Sequence, residues 1–422
     1  MSYKTLGELV NIKGGKRLPK GAQLQSEPNS HPYIRVRDMG DKYIPEHGLE
    51  YVPDDVFPSI SRYIVNTNDV IISIVGTIGL VSIIDERFDN ASQTENCAKL
   101  SGLDYVDANY VYYFLNSSVG QQEIRQGTVG AVQAKLPLYS IEKIKVYWPA
   151  RFEREKIVDQ LATIDRKLDL NVQTNQTLEQ MAQAIFKSWF VDFDPVKAKM
   201  NGEQPEGMDA ATASLFPEKL VESELGLIPE GWQVDPLSSI VDVIMGQSPK
   251  GTTYNGQGEG MALVNGPVEF GVYHPVAQKW TTAPTKLSKD KDLIVCVRGS
   301  TTGRYVVSDG EYCLGRGVCS IRSDDSPAFA NYLFKSQLNN LLNLTTGSTF
   351  PSWSGPTLKN FKVVVPPQSI IGKFETIVGN LCSMMAQNTG ENESLSLLRD
   401  TLLPKLLSGE IELDVAEVNT ND

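Results

Sequence analysis

Residues 153–190, EREKIVDQLATIDRKLDLNVQTNQTLEQMAQAIFKSWF, decide the fold. No proline or glycine interrupts them. Apolar side chains return in steps of four and three: Ile157, Leu161, Ile164, Leu168, then Leu178, Ala182, Ile185 and Trp189. That spacing puts them in one narrow stripe of a long helix, the seam of a coiled coil. Asn171 and Asn175 occupy seam positions in the middle of the stripe. The layout returns 217 residues later in Phe374, Val378, Leu381, Met385, Asn388, Asn392, Leu395 and Leu402. Asn388 and Asn392 stand where Asn171 and Asn175 stood. A polar residue on a seam lowers stability but fixes register and partner choice. Antiparallel pairing about the midpoints would set Asn171 against the region of Asn392 and Asn175 against that of Asn388. Gly390 costs the second helix about 1 kcal/mol and marks a place for a kink.

Outward from the first helix lie two blocks that echo each other. Residues 1–150 read as β-rich. Tyr3–Val10 opens with a short amphipathic turn, and a glycine-rich basic loop follows: Gly14, Gly15, Lys16, Arg17, Pro19, Lys20 and Gly21. Strand signals come at Tyr33–Arg37, Asp69–Ile74, Leu80–Ile84 and Ile144–Trp148, with a helical patch at Tyr110–Leu115. Residues 191–227, with Gly202, Pro205, Gly207, Pro217 and Gly226, read as a linker holding a helical piece near Met208–Leu215. The second block, 228–367, repeats the order. Leu237–Ile244 matches the opening turn, and Gly246–Thr252 matches the basic loop. Asp292–Val297 matches Asp69–Ile74, and Thr346–Pro356 matches Gly127–Leu136. Phe361–Pro366 matches the last strand. A second long helix, 368–408, and a tail, 409–422, complete the chain. Block, helix, block, helix is one unit used twice. The expected fold is α+β: two tandem β-rich domains, each followed by a long helix, the two helices pairing as an antiparallel coiled coil.

Composition narrows the class. The net charge is −12 over 422 residues. Residues 1–150 hold 15 basic and 17 acidic side chains, and 226–367 hold 12 and 11. The helix and linker, 151–225, hold 9 and 14, and 368–422 hold 3 and 9. The acidity therefore sits in the helices and tail, while the blocks are near neutral. No stretch reads as a signal peptide or membrane span; the most apolar run, Val70–Ile84, is too short and too rich in β-branched residues. Five cysteines without a C-x-x-C pair suit a reducing cytosol and give no zinc pattern. His31, His47 and His274 show no metal-ligand spacing, and no nucleophile or phosphate-loop motif is present, so no catalytic residue is assigned.

What repeats is polar and basic residues on loops at strand ends. The first block offers Lys16, Arg17, Lys20, Arg35, Arg37, Gln93, Arg125, Gln133 and Lys135. The second offers Gln247, Lys250, Asn265, Arg298, Arg304, Arg316, Ser352 and Trp353. Arg, Lys, Gln and Asn read guanine and adenine edges in the major groove, and Arg and Lys also grip phosphates. On the residues alone two rivals stay open: a tandem enzyme acting on a polymer, and a coiled-coil adaptor without a DNA role.

The whole chain resembles the DNA-specificity subunits of type I restriction–modification systems. The resemblance rests on IPEGW at 228–232, on AIFKSWFVDFDP at 184–195, on LLPKLLSGEIEL at 402–413 and on the tandem order. It implies that each block is a target-recognition domain reading one half of a split double-stranded site. The paired helices, the first of them about 55 Å long by helical rise, would hold the halves apart. It also implies a non-catalytic, cytoplasmic prokaryotic protein, nucleoid-associated when on DNA. Its partners would be two methyltransferase (modification) subunits and restriction subunits. S-adenosylmethionine, ATP and Mg would be bound by those partners and no cofactor by this chain.

Overall fold

The computed structural model describes residues 3–130, 133–347, 351–408 and 410–411. Two compact units divide the chain: Met1–Asp169 with Asn392–Asp422, and Leu170–Glu391.

The first unit begins with β1 (Tyr3–Thr5), α1 (Leu6–Leu9), β2 (Asn11–Gly14), β3 (Pro32–Ile34), β4 (Glu50–Tyr51), β5 (Val70–Ser73), β6 (Val81–Ile83), β7 (Ser92–Gln93) and β8 (Cys97–Ser101). It continues with α2 (Tyr105–Asn116), α3 (Ser118–Gly127), α4 (Leu138–Glu142), β9 (Lys145–Tyr147) and the start of α5 (Arg151–Phe190). One antiparallel sheet runs β2-β8-β5-β6 and another runs β4-β3-β7, in which β3 and β7 are parallel. β1 pairs with β9. The β5 run is buried throughout because both faces are covered. Val70 and Ile72 face a core with Ala98, Leu100, Tyr110 and Phe114, while Ile71 faces another with Ile34, Met39 and Cys97. The larger core also takes Ile157, Val158 and Leu161 from α5 and Leu403, Leu406 and Leu407 from α11 (Gln368–Ser408).

The second unit opens with the end of α5, followed by α6 (Asp194–Met200), α7 (Ala210–Ala213) and the hairpin of β10 (Leu220–Ser223) and β11 (Gly226–Pro229). Then come β12 (Gln233–Pro236), β13 (Asp242–Met245), β14 (Tyr254–Asn255), β15 (Met261–Val264), β16 (Trp280–Thr281), β17 (Leu293–Cys296), β18 (Tyr305–Val307), β19 (Cys313–Leu314) and β20 (Val318–Arg322). α8 (Pro327–Ser336), α9 (Leu338–Leu342), α10 (Gly355–Lys359) and β21 (Lys362–Val365) lead into α11. The sheets repeat the first unit's plan. β13-β20-β17-β18 matches β2-β8-β5-β6, the parallel β15–β19 pair matches β3–β7, and β12–β21 matches β1–β9. The turn entering the central strand is duplicated to the backbone angle: Asn68 takes φ 69° and Lys291 takes φ 67°. In each, the next residue is an aspartate that caps the turn by accepting from the N–H three residues back, Asp69 from Asn66 N at 2.9 Å and Asp292 from Lys289 N at 2.8 Å. Ala182, Phe186, Trp189 and Phe190 of α5 and Ile370, Phe374 and Val378 of α11 enter this unit's core.

The helices pair antiparallel, since partners on α11 fall in number as those on α5 rise. In the first unit Arg399 lies 3.7 Å from Asp165, and Asn392 Nδ2 donates to Leu168 O at 3.4 Å. In the second, Asn388 Nδ2 donates to Asn175 Oδ1 at 2.8 Å. Asn175 Nδ2 donates to Met385 O at 3.1 Å, and Asn171 Nδ2 to Glu391 Oε2 at 2.8 Å. Satisfied amides at these places allow polar residues on an otherwise apolar seam. α11 is unbroken through Gly390 and carries Pro404 near its end. Among the described residues no helix is long and apolar enough to cross a membrane.

Each unit also has a lysine clamp onto a helix carboxylate. Lys42 Nζ donates to Tyr113 OH at 2.7 Å and sits 3.2 Å from Asp165, which accepts from Tyr113 OH at 2.6 Å. Burial pushes the Lys42 ammonium below its usual range against the pull of Asp165. In the second unit Tyr332 OH donates to Glu179 at 2.6 Å, and Lys335 lies 3.1 Å from the same carboxylate. Burial works to raise the Glu179 pKa, but the Lys335 charge and the Tyr332 hydroxyl outweigh it and hold it below the ordinary value.

Two segments differ from the sequence expectation. Of Tyr33–Arg37 only Tyr33 and Ile34 are strand. Val36–Asp38 turns as a 3₁₀ helix because Asp38 Oδ2 takes the Arg35 N–H at 2.8 Å. Residues 191–227 are packed rather than open. Val196, Ala213 and Phe216 are buried, and Trp232 of IPEGW sets its ring 5.9 Å from Phe190 and 5.6 Å from Phe193.

Candidate nucleic-acid interface

Three loops of the first unit meet at the ends of β2, β3 and β7. Gly15 N donates to Cys97 O at 3.0 Å, Lys16 N to Gln93 O at 3.0 Å, and Thr94 N to Ile34 O at 3.0 Å. Two further loops join them. Ile74 N donates to Asn96 O at 2.8 Å, Leu136 N to Ile74 O at 2.9 Å, and Val129 and Lys135 exchange both backbone bonds. The result is a cradle of backbone that leaves side-chain identity free.

The second unit builds the same cradle bond for bond. Gly246 N donates to Val318 O at 3.0 Å, Gln247 N to Leu314 O at 2.8 Å, Gly315 N to Val264 O at 2.8 Å, Val297 N to Gly317 O at 2.9 Å and Trp353 N to Val297 O at 3.0 Å. Thr346 and Ser352 exchange both bonds at 3.0 Å. Both cradles need glycine at one place. A Cβ on Gly15 would stand 2.1 Å from Thr94 O, and one on Gly246 would stand 2.1 Å from Gly315 O. An acid caps the second loop in each: Asp38 on Arg35 N, and Glu269 on Asn265 N at 3.2 Å and Gly266 N at 3.1 Å.

These bonds pair the positions: Lys16 with Gln247, Arg17 with Ser248, Arg35 with Asn265, Val75 with Arg298, Glu95 with Arg316, and Lys135 with Ser352. The side chains differ at every pair while the backbone does not. In the first unit acids hold the cations. Arg17 Nε bonds Glu95 Oε1 at 2.5 Å, Arg35 pairs with Glu50, and Arg37 lies 2.9 Å from Glu50. Burial works to raise the Glu95 pKa, but the Arg17 bond with backbone and Thr94 bonds holds it low. Burial also raises Asp38 against Arg37. In the second unit Arg298, Arg304 and Arg316 are exposed and enter none of the ion pairs among the described residues.

The sequence candidates fall unevenly on this surface. Lys16, Arg17, Gln133, Lys135, Gln247, Asn265, Arg298 and Arg316 are exposed on cradle loops. Lys20, Lys250 and Arg304 are exposed beside them, and Arg125 is exposed in the last turn of α3. Two candidates are corrected. Trp353 is 3% exposed and donates Nε1 to Leu341 O at 2.7 Å, so it is a core residue at the place of buried Leu136. Gln93 is 1% exposed, covered by the β3–β7 pairing, and both its amide atoms lack hydrogen-bond partners. The loops expected at Gly127–Leu136 and Thr346–Pro356 include residues 131–132 and 348–350, and the tail includes 409 and 412–422; these lie outside the described residues. Sequence reasoning missed Glu95 and Glu50, which lie apart in sequence from Arg17 and from Arg35 and Arg37, and it missed Asp38, which pairs locally with Arg35 and Arg37. Among the described residues no group of three or more His, Cys, Asp or Glu side chains is placed to hold a metal ion.

A backbone frame used twice, with different polar side chains on each copy, defines a tandem recognition protein. The chain belongs to the type I restriction–modification specificity family: the model described as the type I restriction modification DNA specificity domain matches residues 1–180 and again 229–388. It is similar to the HindI specificity subunit of Haemophilus influenzae, with 28% identity over 68% of this chain and 73% of that one. It is also similar to a putative MjaX specificity subunit of Methanocaldococcus jannaschii, with 23% identity over 93% of this chain and 90% of the relative. A solved type I S subunit from M. genitalium shares the fold at TM-score 0.55, with 16% identity, over 98% of this chain and 96% of the other.

Proposed function

We propose that this chain is the non-catalytic, sequence-specific DNA-binding subunit of a type I restriction–modification complex. Residues 1–150 and 228–367 act as two target-recognition domains, each reading one half of a split duplex site. Residues 151–190 and 368–408 form the helix pair, 191–227 joins it to the second domain, and 409–422 is a tail. The doubled cradle with unlike side chains carries this reading. Its exposed candidates, Lys16, Arg17, Lys20, Arg37, Arg125, Gln133 and Lys135 in one domain and Gln247, Lys250, Asn265, Arg298, Arg304, Arg316 and part-buried Ser352 in the other, are the DNA contacts, with Arg35 supporting the first set. Asn171, Asn175, Asn388 and Asn392 set the register of the helices.

The chemistry resides in partners. Two modification subunits methylate adenine with S-adenosylmethionine, and restriction subunits use ATP and Mg to translocate and cleave. The acidic helices suit docking to those subunits and repel phosphate. With near-neutral heads, the isolated chain binds DNA weakly and the modification subunits supply much of the grip. The complex works in the prokaryotic cytoplasm, on the nucleoid when bound. Co-expression with a modification subunit, followed by sequencing of methylated adenines, tests the reading. A two-part motif that depends on this chain is expected; methylation indifferent to the chain overturns it.

A further inference from the structure

Arg17 and Glu95 face each other across the first cradle, and Ser248 and Arg316 face each other across the second. The equivalence is set by the shared backbone bonds and by the contacts themselves: Arg17 Nε to Glu95 Oε1 at 2.5 Å, and Arg316 N to Ser248 Oγ at 3.2 Å. Each cradle therefore presents one exposed guanidinium at this crossing, delivered by the first loop in one unit and by the third loop in the other. The backbone beneath is fixed. A Cβ on Gly315 would stand 2.1 Å from Asn265 Oδ1, and one on Gly317 would stand 2.1 Å from Asn265 O. A reading side chain needs such a rigid base.

The Arg17 guanidinium spends Nε on Glu95, and its terminal amino groups make no hydrogen bond among the described residues. Its side chain is 79% exposed. A carboxylate on Nε aims the terminal fork outward, and a planar two-donor fork matches the O6 and N7 acceptors of guanine. The Arg316 side chain is likewise exposed and makes no hydrogen bond among the described residues.

Resting on the DNA-reading function above, we propose that Arg17 and Arg316 are the guanine-reading residues of the first and second half-sites, with Glu95 positioning Arg17. Reversal of the charge at one crossing then explains how a duplicated frame reads two unlike halves. The alternative role for either arginine is a sequence-blind grip on phosphate, and the test separates the two.

The complex with its modification subunit is used throughout. The methylated motif is first sequenced for the wild type, for Arg17→Ala and for Arg316→Ala. Each variant is expected to lose discrimination at one G·C pair of its own half-site by about 5- to 150-fold, leaving the other half intact. Glu95→Ala is expected to relax the same base pair as Arg17→Ala, with little change in overall affinity. The wild-type complex is then titrated with duplexes carrying 7-deazaguanine at each guanine of the motif. One position per half should weaken binding, and that loss should vanish in the matching arginine variant. Uniform weakening on all sequences, with a shallower salt dependence, would assign the arginines to phosphate and overturn the proposal. An unchanged two-part motif in both variants would overturn it while leaving the DNA-reading function standing. Absence of any two-part motif in the wild type would instead remove that function.

Discussion

In the first head Arg17 lies against Glu95 while Arg35 and Arg37 share Glu50; in the second, Arg298, Arg304 and Arg316 stand exposed and enter none of the ion pairs among the described residues. The blocks carry nearly the same charge, with 15 basic and 17 acidic residues against 12 and 11. The contrast therefore lies in placement and not in composition. Exposed pairs contribute only about 0–1 kcal/mol to stability, so their use lies elsewhere. A carboxylate held on an arginine Nε repels phosphate and aims the terminal fork at a partner that matches it. The first head presents its cations already paired, and the second presents them open.

The largest effect that would sharpen the comparison lies in the cores. Phe374 is fully buried among Phe186, Trp189, Phe190, Phe329 and Tyr332. Phe374→Ala should cost about 3–5 kcal/mol and Leu406→Ala about 2–5 kcal/mol. Hydrogen exchange should show protection lost within 170–391 for the former and within the other unit for the latter. Equal losses in both units from either change would break the division into two heads.

Next come the cradle glycines. Gly246→Ala forces a methyl group against Gly315 O and Gly15→Ala forces one against Thr94 O. Each should cost about 1–3 kcal/mol and blur one half of the methylated motif only. A motif blurred in both halves by one change would show the cradles are not separate readers.

A comparable effect, but one that depends on pH, is expected at the second head's clamp. Glu179→Gln should cost about 1–3 kcal/mol at neutral pH. The folded pKa of Glu179 lies below its ordinary 4.5. Its contribution is therefore complete above pH 4.5 and is lost as pH falls through the lower folded value. The gap in melting temperature between wild type and variant should be widest at neutral pH and close in acid. A constant gap would mean the carboxylate charge contributes nothing. The smallest effect belongs to Glu95→Gln, which should move stability by less than about 1 kcal/mol, so melts of variant and wild type should overlay.

The long helices and the doubled order were legible because both rest on repetition. A seam of apolar residues spaced four and three apart has one helical explanation, and Asp292–Val297 copies Asp69–Ile74 in pattern. The site was half legible. Glycine-rich loops marked Lys16, Arg17, Gln133 and Lys250, since glycine answers to a backbone contact that a Cβ would block. Trp353 misled because an aromatic among serines and glycines reads as an exposed loop, whereas its place is that of buried Leu136. Gln93 misled because a two-residue parallel strand leaves no periodicity to read. Glu95 and Glu50, which hold Arg17, Arg35 and Arg37, had no local signal, since those pairings exist only once distant segments have met, whereas Asp38 sits beside Arg37 in the sequence.

Leu403, Leu406 and Leu407 belong to the same core as Ile157, Val158 and Leu161. During synthesis on the ribosome, the first head emerges early yet waits for more than half the chain before its last apolar seats arrive. The contiguous unit 170–391 closes meanwhile. A premature stop before residue 403 would thus leave an unfinished, sticky first head beside a completed second one, a ready substrate for chaperones and proteases.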